Sequence, residues 1–138
     1  MKRTIATLVI GGGWLCSALS ATPHKIECPP EIPAPAVTIK APDGWTSYAS
    51  QGIQLRAAEP MLGPPSEMGF LKPSRTVTTK AGSVDSWAEL EGNSLGGKWI
   101  ACRYGERGEI ILAKPLSNQT SACTVSRLHN KLEISCSW

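Results

Sequence analysis

The chain is 138 residues long, 41% hydrophobic and 18% charged, with 14 basic against 11 acidic residues and a formal net charge of +3. That length accommodates one domain, and charges so evenly scattered leave no electrostatic footprint for nucleic acid or an anionic membrane. No H-E-x-x-H motif and no G-x-x-x-x-G-K-[ST] phosphate loop is present, which excludes the enzyme classes those two motifs serve.

Residues 1–21 read as a secretory signal peptide. Met1, Lys2 and Arg3 supply a positive start, residues 4–19 are an uncharged and mostly apolar run, and Ala18-Leu19-Ser20 precedes cleavage after Ser20 or Ala21. The run is too short and glycine-rich for a membrane span. Leu15 stands before Cys16 where a lipid-attachment site needs a smaller residue, so Cys16 leaves with the signal. What remains, residues 22–138, is a single β domain; losing Lys2 and Arg3 lowers its net charge to +1. No second apolar run follows, so no membrane insertion is expected after cleavage, and the location is periplasmic or secreted.

Four cysteines then remain, Cys28, Cys102, Cys123 and Cys136. An even number in a small exported domain reads as two disulfides. Zinc needs close pairs such as C-x-x-C, which are missing, so neither a metal nor a cofactor is expected.

The mature chain opens on a proline-rich strap. Pro29, Pro30, Pro33 and Pro35 favour an extended path pinned by Cys28 and unable to join a central strand. Residues 36–40 are the first expected strand, with Val37 and Ile39 on one face. Asp43-Gly44 marks a turn; Trp45 and Tyr48 follow in a polar context. Residues 53–58 (I-Q-L-R-A-A) form a strand with Ile53, Leu55 and Ala57 inward.

Residues 60–73 carry four prolines and two glycines, which exclude regular structure through most of the stretch. Yet Met61, Leu62, Met68, Phe70 and Leu71 lie within it. Long loops of this kind inside a small domain are often functional. Two readings stay open: the apolar residues plug one end of the sheet, or some face outward as an adaptable contact surface.

Strands then follow in quick succession. Residues 76–80 are β-branched and Ala81-Gly82 turns. Residues 83–90 alternate, with Val84, Ala88 and Leu90 on one face and Asp85, Trp87 and Glu89 on the other. Residues 98–104 (K-W-I-A-C-R-Y) form a central strand with Ile100, Cys102 and Tyr104 facing the core and Trp99 and Arg103 behind. A turn at 105–108 leads to a returning strand over 109–113.

The last eighteen residues read as a hairpin turning at His129-Asn130. In that register Leu128 faces Lys131, Val125 faces Ile134 and Cys123 faces Cys136, so the apolar face and a disulfide align together. Cys28 is left to pair with Cys102. The fold expected is mainly β, an antiparallel meander of about seven or eight strands, as a curved sheet or small open barrel or sandwich with two disulfides.

Neither His24, in the tail, nor His129, at a hairpin tip, sits where a general base is oriented. Asp85 and Glu89 beside Trp87 have the composition of a glycan-cleaving pair, but the wet face of a half-buried sheet has it too. No enzyme is expected. Trp87, Trp99, Arg103 and nearby Lys98 would make an aromatic–basic patch of the kind favoured at interaction hot spots, unless the strap or the 60–73 loop covers that face.

Ile26-Glu27-Cys28-Pro29, Trp99-x-x-Cys102-x-Tyr104 and the terminal cysteine hairpin together resemble a group of small exported proteins of Gram-negative bacteria. The resemblance implies a periplasmic, disulfide-bonded, mostly β domain and brings no catalytic residues. Periplasmic lysozyme inhibitors are similar in size and style, but the S-G-x-x-Y loop of several of them is absent, which counts against a lysozyme target. The expected function is that of a non-enzymatic periplasmic binding protein, an inhibitor or immunity-type partner of an envelope-acting enzyme. Its partner would be an envelope or secreted protein. The alternative is a structural accessory of an envelope or secretion assembly.

Overall fold

The computed structural model describes residues 20–92 and 94–138. All but the last two residues of the expected signal peptide lie outside them. Among the described residues nine strands build two antiparallel sheets. The first runs in the order β1 (Pro23–Ile26), β9 (Lys131–Ser137), β8 (Ala122–Leu128), β5 (Gly82–Trp87), β4 (Arg75–Thr79). The second runs β2 (Glu31–Ile32), β3 (Ile53–Leu62), β6 (Lys98–Tyr104), β7 (Ile110–Pro115). Among the described residues no helix is long and apolar enough to cross a membrane.

The terminal hairpin has the expected register, with Val125 opposite Ile134 and Cys123 opposite Cys136. His129 and Asn130 both take left-handed conformations, φ 49° and 61°, which is the turn whose twist matches that of the flanking strands. Both disulfides are formed, Cys123–Cys136 within the hairpin and Cys28–Cys102 from the strap to the middle of β6.

The inner faces of the two sheets meet in the core. Trp87, Cys123, Val125, Ile134, Cys136 and Ile26 come from the first sheet, Ala58 and Ile100 from the second, and none is more than 5% exposed. Burying each of the large apolar side chains among them contributes about 1.5–3 kcal/mol. Tyr104, fully buried, closes the strap end by donating its hydroxyl to the Pro29 carbonyl at 2.9 Å.

Several local expectations are corrected. Residues 36–40 form no strand: a 3-10 turn occupies Ala34–Ala36 and the chain beyond it is irregular, with Ile39 51% exposed. The strap instead supplies two short edge strands, β1 on β9 and β2 on β3, positions where proline costs no central ladder bond. A bulge between Leu55 and Ala57 reverses the alternation in β3, so Ala58 takes the buried place expected for Ala57. In β5 the face is inverted. Pairing of Trp87 with Cys123 puts Trp87 inward, 3% exposed. The strand stops there, and Glu89 follows in a left-handed conformation, φ 58°.

Strand β3 also runs on through Pro60 to Leu62, where a loop was expected. Proline is tolerated because the carbonyl of Pro60 points away from β6, accepting from the Leu71 N–H at 3.1 Å. In an antiparallel strand the N side of a residue points the same way as its carbonyl, so the missing N–H lies on that side and the β6 ladder stays whole.

Candidate partner-binding surface

The segment after β3 doubles back along it. Leu62 donates its N–H to the Gly69 carbonyl at 2.9 Å, Leu71 donates to Pro60, and Met61 bridges Phe70. Between these points lie a 3-10 turn at Pro65–Glu67 and Met68 at φ 52°. Glycine is required at 69, because a Cβ there would stand 2.2 Å from the Leu62 carbonyl oxygen.

This fold-back divides the five apolar residues of the loop. Met61 is fully buried, a core side chain and not a surface one. Phe70 is half-buried, with the Arg103 guanidinium carbon 5.0 Å from its ring centre. Leu71 packs on the core, and its carbonyl accepts from Trp87 Nε1 at 2.8 Å. Leu62 and Met68 face outward, 39% and 58% exposed.

A second loop abuts the first. Gly63 donates to the Gly97 carbonyl at 2.9 Å. Ser94 Oγ donates to the same carbonyl, and Trp99 Nε1 donates to Gly96, each at 2.8 Å. Leu95, in this loop, is wholly exposed. Leu62, at the end of β3, and Met68 and Leu95, on the two loops tied by main-chain bonds, therefore stand at one end of the second sheet. Exposed apolar side chains on a rigid base are what a protein-binding surface needs, since little entropy is lost on docking.

The expected aromatic–basic patch does not assemble. Trp87 belongs to the core of the first sheet. Lys98 is 5% exposed and spends its ammonium on the Asn118 and Thr120 carbonyls, at 2.7 and 2.8 Å. Trp99 and Arg103 do share the outer face of β6, both half-buried. Arg103 is held by Glu59 Oε1 at 2.7 Å, by the Gly108 carbonyl at 3.0 Å and by the Arg107 carbonyl at 3.3 Å. It anchors the fold-back through Phe70.

Another exposed apolar group stands at the opposite end of β3, where the sequence reading placed nothing. Trp45 is 76% and Tyr48 85% exposed, and a groove of about 370 Å³ runs between Val37, Ile39 and Tyr48. The signal available in the sequence was length: residues 37–52 are irregular throughout, and such loops in compact domains are often functional. Among the described residues no group of three or more His, Cys, Asp or Glu side chains is placed to hold a metal ion.

Against known families, residues 49–137 match the model described as Type VI secretion system Tli immunity protein. No curated protein and no solved structure matches the chain. The matched span contains β3 through β9 and both loops bearing Leu62, Met68 and Leu95. Strands β1 and β2 and the residues Trp45 and Tyr48 fall outside it, the span beginning one residue after Tyr48.

Proposed function

This chain belongs to the Type VI secretion system Tli immunity protein family, and on that premise we propose that it neutralises a secreted, envelope-acting effector by binding it in the periplasm. The family match, spanning most of both sheets, is the observation that carries the reading. The role is one of occlusion rather than chemistry: a β framework stapled by two disulfides presents side chains to a partner.

The contact surface we assign to this role is the loop pair bearing Leu62, Met68 and Leu95, with Trp99 at its base. Met68 and the two leucines offer adaptable apolar contact, while Phe70, Leu71 and Met61 beneath them hold the backbone in place.

The test is protection. A recipient strain lacking the chain, mixed with kin that carry an active type VI apparatus, should lose viability and regain it when the full chain is exported. A chain confined to the cytoplasm should not restore it. The triple variant Leu62→Ser, Met68→Ser, Leu95→Ser, shown to be folded, should protect poorly. Equal survival with and without the chain would sink the immunity reading; full protection by the triple variant would move the surface elsewhere, with Trp45 and Tyr48 next in line.

A further inference from the structure

The outermost strands of the two sheets are not protected alike. β1 has four residues and begins on Pro23, β2 has two residues, and β7 ends on Lys114 and Pro115. Short length, proline and lysine are the usual devices that stop a sheet edge from recruiting another strand. β4 has neither proline nor lysine within it, and its one charge is Arg75 at the first position. It is five residues long, Arg-Thr-Val-Thr-Thr, pairs with β5 without a bulge, and is exposed at every position. Four of its five residues are β-branched, the type that pairs best on a pleated surface. Its second side carries no strand among the described residues, so alternate N–H and C=O groups there point outward without a main-chain partner.

The exposed charges on and flanking this strand are of one sign. Lys72 and Arg75 stand at its start and Lys80 follows its end, all exposed. Beyond Lys80 lies a groove of about 540 Å³ lined by Lys80, Ala81, Gly82, Arg127, His129 and Asn130, with no acidic residue among them. One acid lies nearby in the sheet, Asp85 opposite Thr76, half-buried and accepting from the Thr76 hydroxyl at 2.5 Å, on the face away from Arg75 and Val77. A second copy of the chain is a poor occupant. Antiparallel pairing centred on Val77 would set Arg75 opposite Thr79 of the other copy and Ser74 opposite its Lys80. Lys72 and Arg75 of one copy would then gather with Lys80 of the other at each end, and cations so close repel.

We propose that the β4 edge is a strand-addition site for an extended acidic segment of a partner protein. Main-chain bonds to β4 supply the affinity and side chains at alternate positions supply the choice. Arg75, Val77 and Thr79 share one face, with half-exposed Val84 beside Val77. The segment that fits therefore carries a β-branched apolar residue opposite Val77 and, two positions along the same face, a carboxylate opposite Arg75. A further acid reaches the Lys80–Arg127 groove. The inference does not depend on the immunity reading, because its test needs no effector.

The probe is a random dodecapeptide library selected against the oxidised protein. Recovered peptides should be enriched in Asp and Glu spaced by two from Val, Ile or Thr. Bound peptide should slow amide exchange at Arg75–Thr79 by about tenfold or more, and added salt should weaken binding. The surface variant Arg75→Glu, Lys80→Glu, which leaves the core untouched, should lose about tenfold or more in affinity for those peptides. Peptides without acidic enrichment, unchanged exchange in β4, or equal binding by the charge variant would each overturn the proposal. So would recovery of no peptide, or a β4-protected dimer in the protein alone, which would make the second copy the occupant.

Discussion

The Arg103 guanidinium sits over the face of Phe70, 5.0 Å from the ring centre, and this contact joins the doubled-back loop to the outer face of β6. Arginine suits the position because a planar cation stacks on an aromatic face while its remaining N–H groups reach other acceptors. Here those acceptors are Glu59 and the carbonyls of Arg107 and Gly108. Both charged side chains are partly shielded, 30% and 22% exposed, so the pair is worth more than an open surface bridge but less than a buried one.

Arg103→Lys keeps the charge and loses the fork and the stacking. We expect a loss of about 1–2 kcal/mol in unfolding free energy. Amide exchange at Leu62 and Leu71, whose N–H groups tie the loop to its own base, should quicken. If those two amides exchange at the natural rate in the variant, the main-chain bonds alone hold the loop and Arg103 is dispensable to it.

Gly69 tests the same loop from the backbone side. Gly69→Ala places a methyl group against the Leu62 carbonyl oxygen, a fixed main-chain atom, so the fold-back must separate rather than adjust. The expected outcome is a folded core with protease cleavage appearing within residues 63–70, and loss of protection in the mixed-culture test. Resistance to protease equal to that of the natural chain would refute the close approach.

The terminal hairpin and β6 were legible in the sequence because each is settled by local information. In the hairpin, alternation, cysteine spacing and the turn all select one register; in β6, buried residues alternate without interruption until Ala101. What stayed hidden depended on distant partners. Residues 83–87 alternate either way, and only the pairing of Trp87 with Cys123, far along the chain, decides which face is inner. The bulge at Arg56 has no marker in the letters around it. Within the 60–73 loop, Met61 and Met68 look equivalent in sequence; the doubling back buries one and exposes the other. Of the three exposed apolar residues at that end of the second sheet, Leu62 and Met68 were named from the sequence and Leu95 was not.

The two disulfides should differ in what they hold. In the loop-entropy account, a link across a separation of 74 residues is worth about 4.5 kcal/mol, and one across 13 about 3 kcal/mol. Replacing Cys28 and Cys102 together with serine should cost the larger amount and free the strap, exposing Ile26 and the Tyr104 end of the core. Replacing Cys123 and Cys136 should cost less in urea unfolding. The reverse order would mean that the strap is held chiefly by β1 and β2 pairing.

Tyr104 should weaken the fold at alkaline pH. Burial holds its phenol above the usual tyrosine range, since ionising it would place a charge in the core. Below about pH 10 the phenol is neutral in both folded and unfolded chains, and its contribution is fully present. As pH rises past the unfolded value, the unfolded chain sheds this proton while the folded chain keeps it, so stability falls until the folded group also titrates. Tyr104→Phe removes that loss. It also removes the hydrogen bond to the Pro29 carbonyl, costing about 1 kcal/mol at neutral pH. Lys131, raised first by its hydrogen bond to Glu133, is exposed and common to both proteins, so it cancels in the difference. Urea unfolding at neutral pH and at steps above pH 10 should therefore show the variant starting lower and declining less steeply. Parallel declines would place the alkaline loss in groups other than Tyr104.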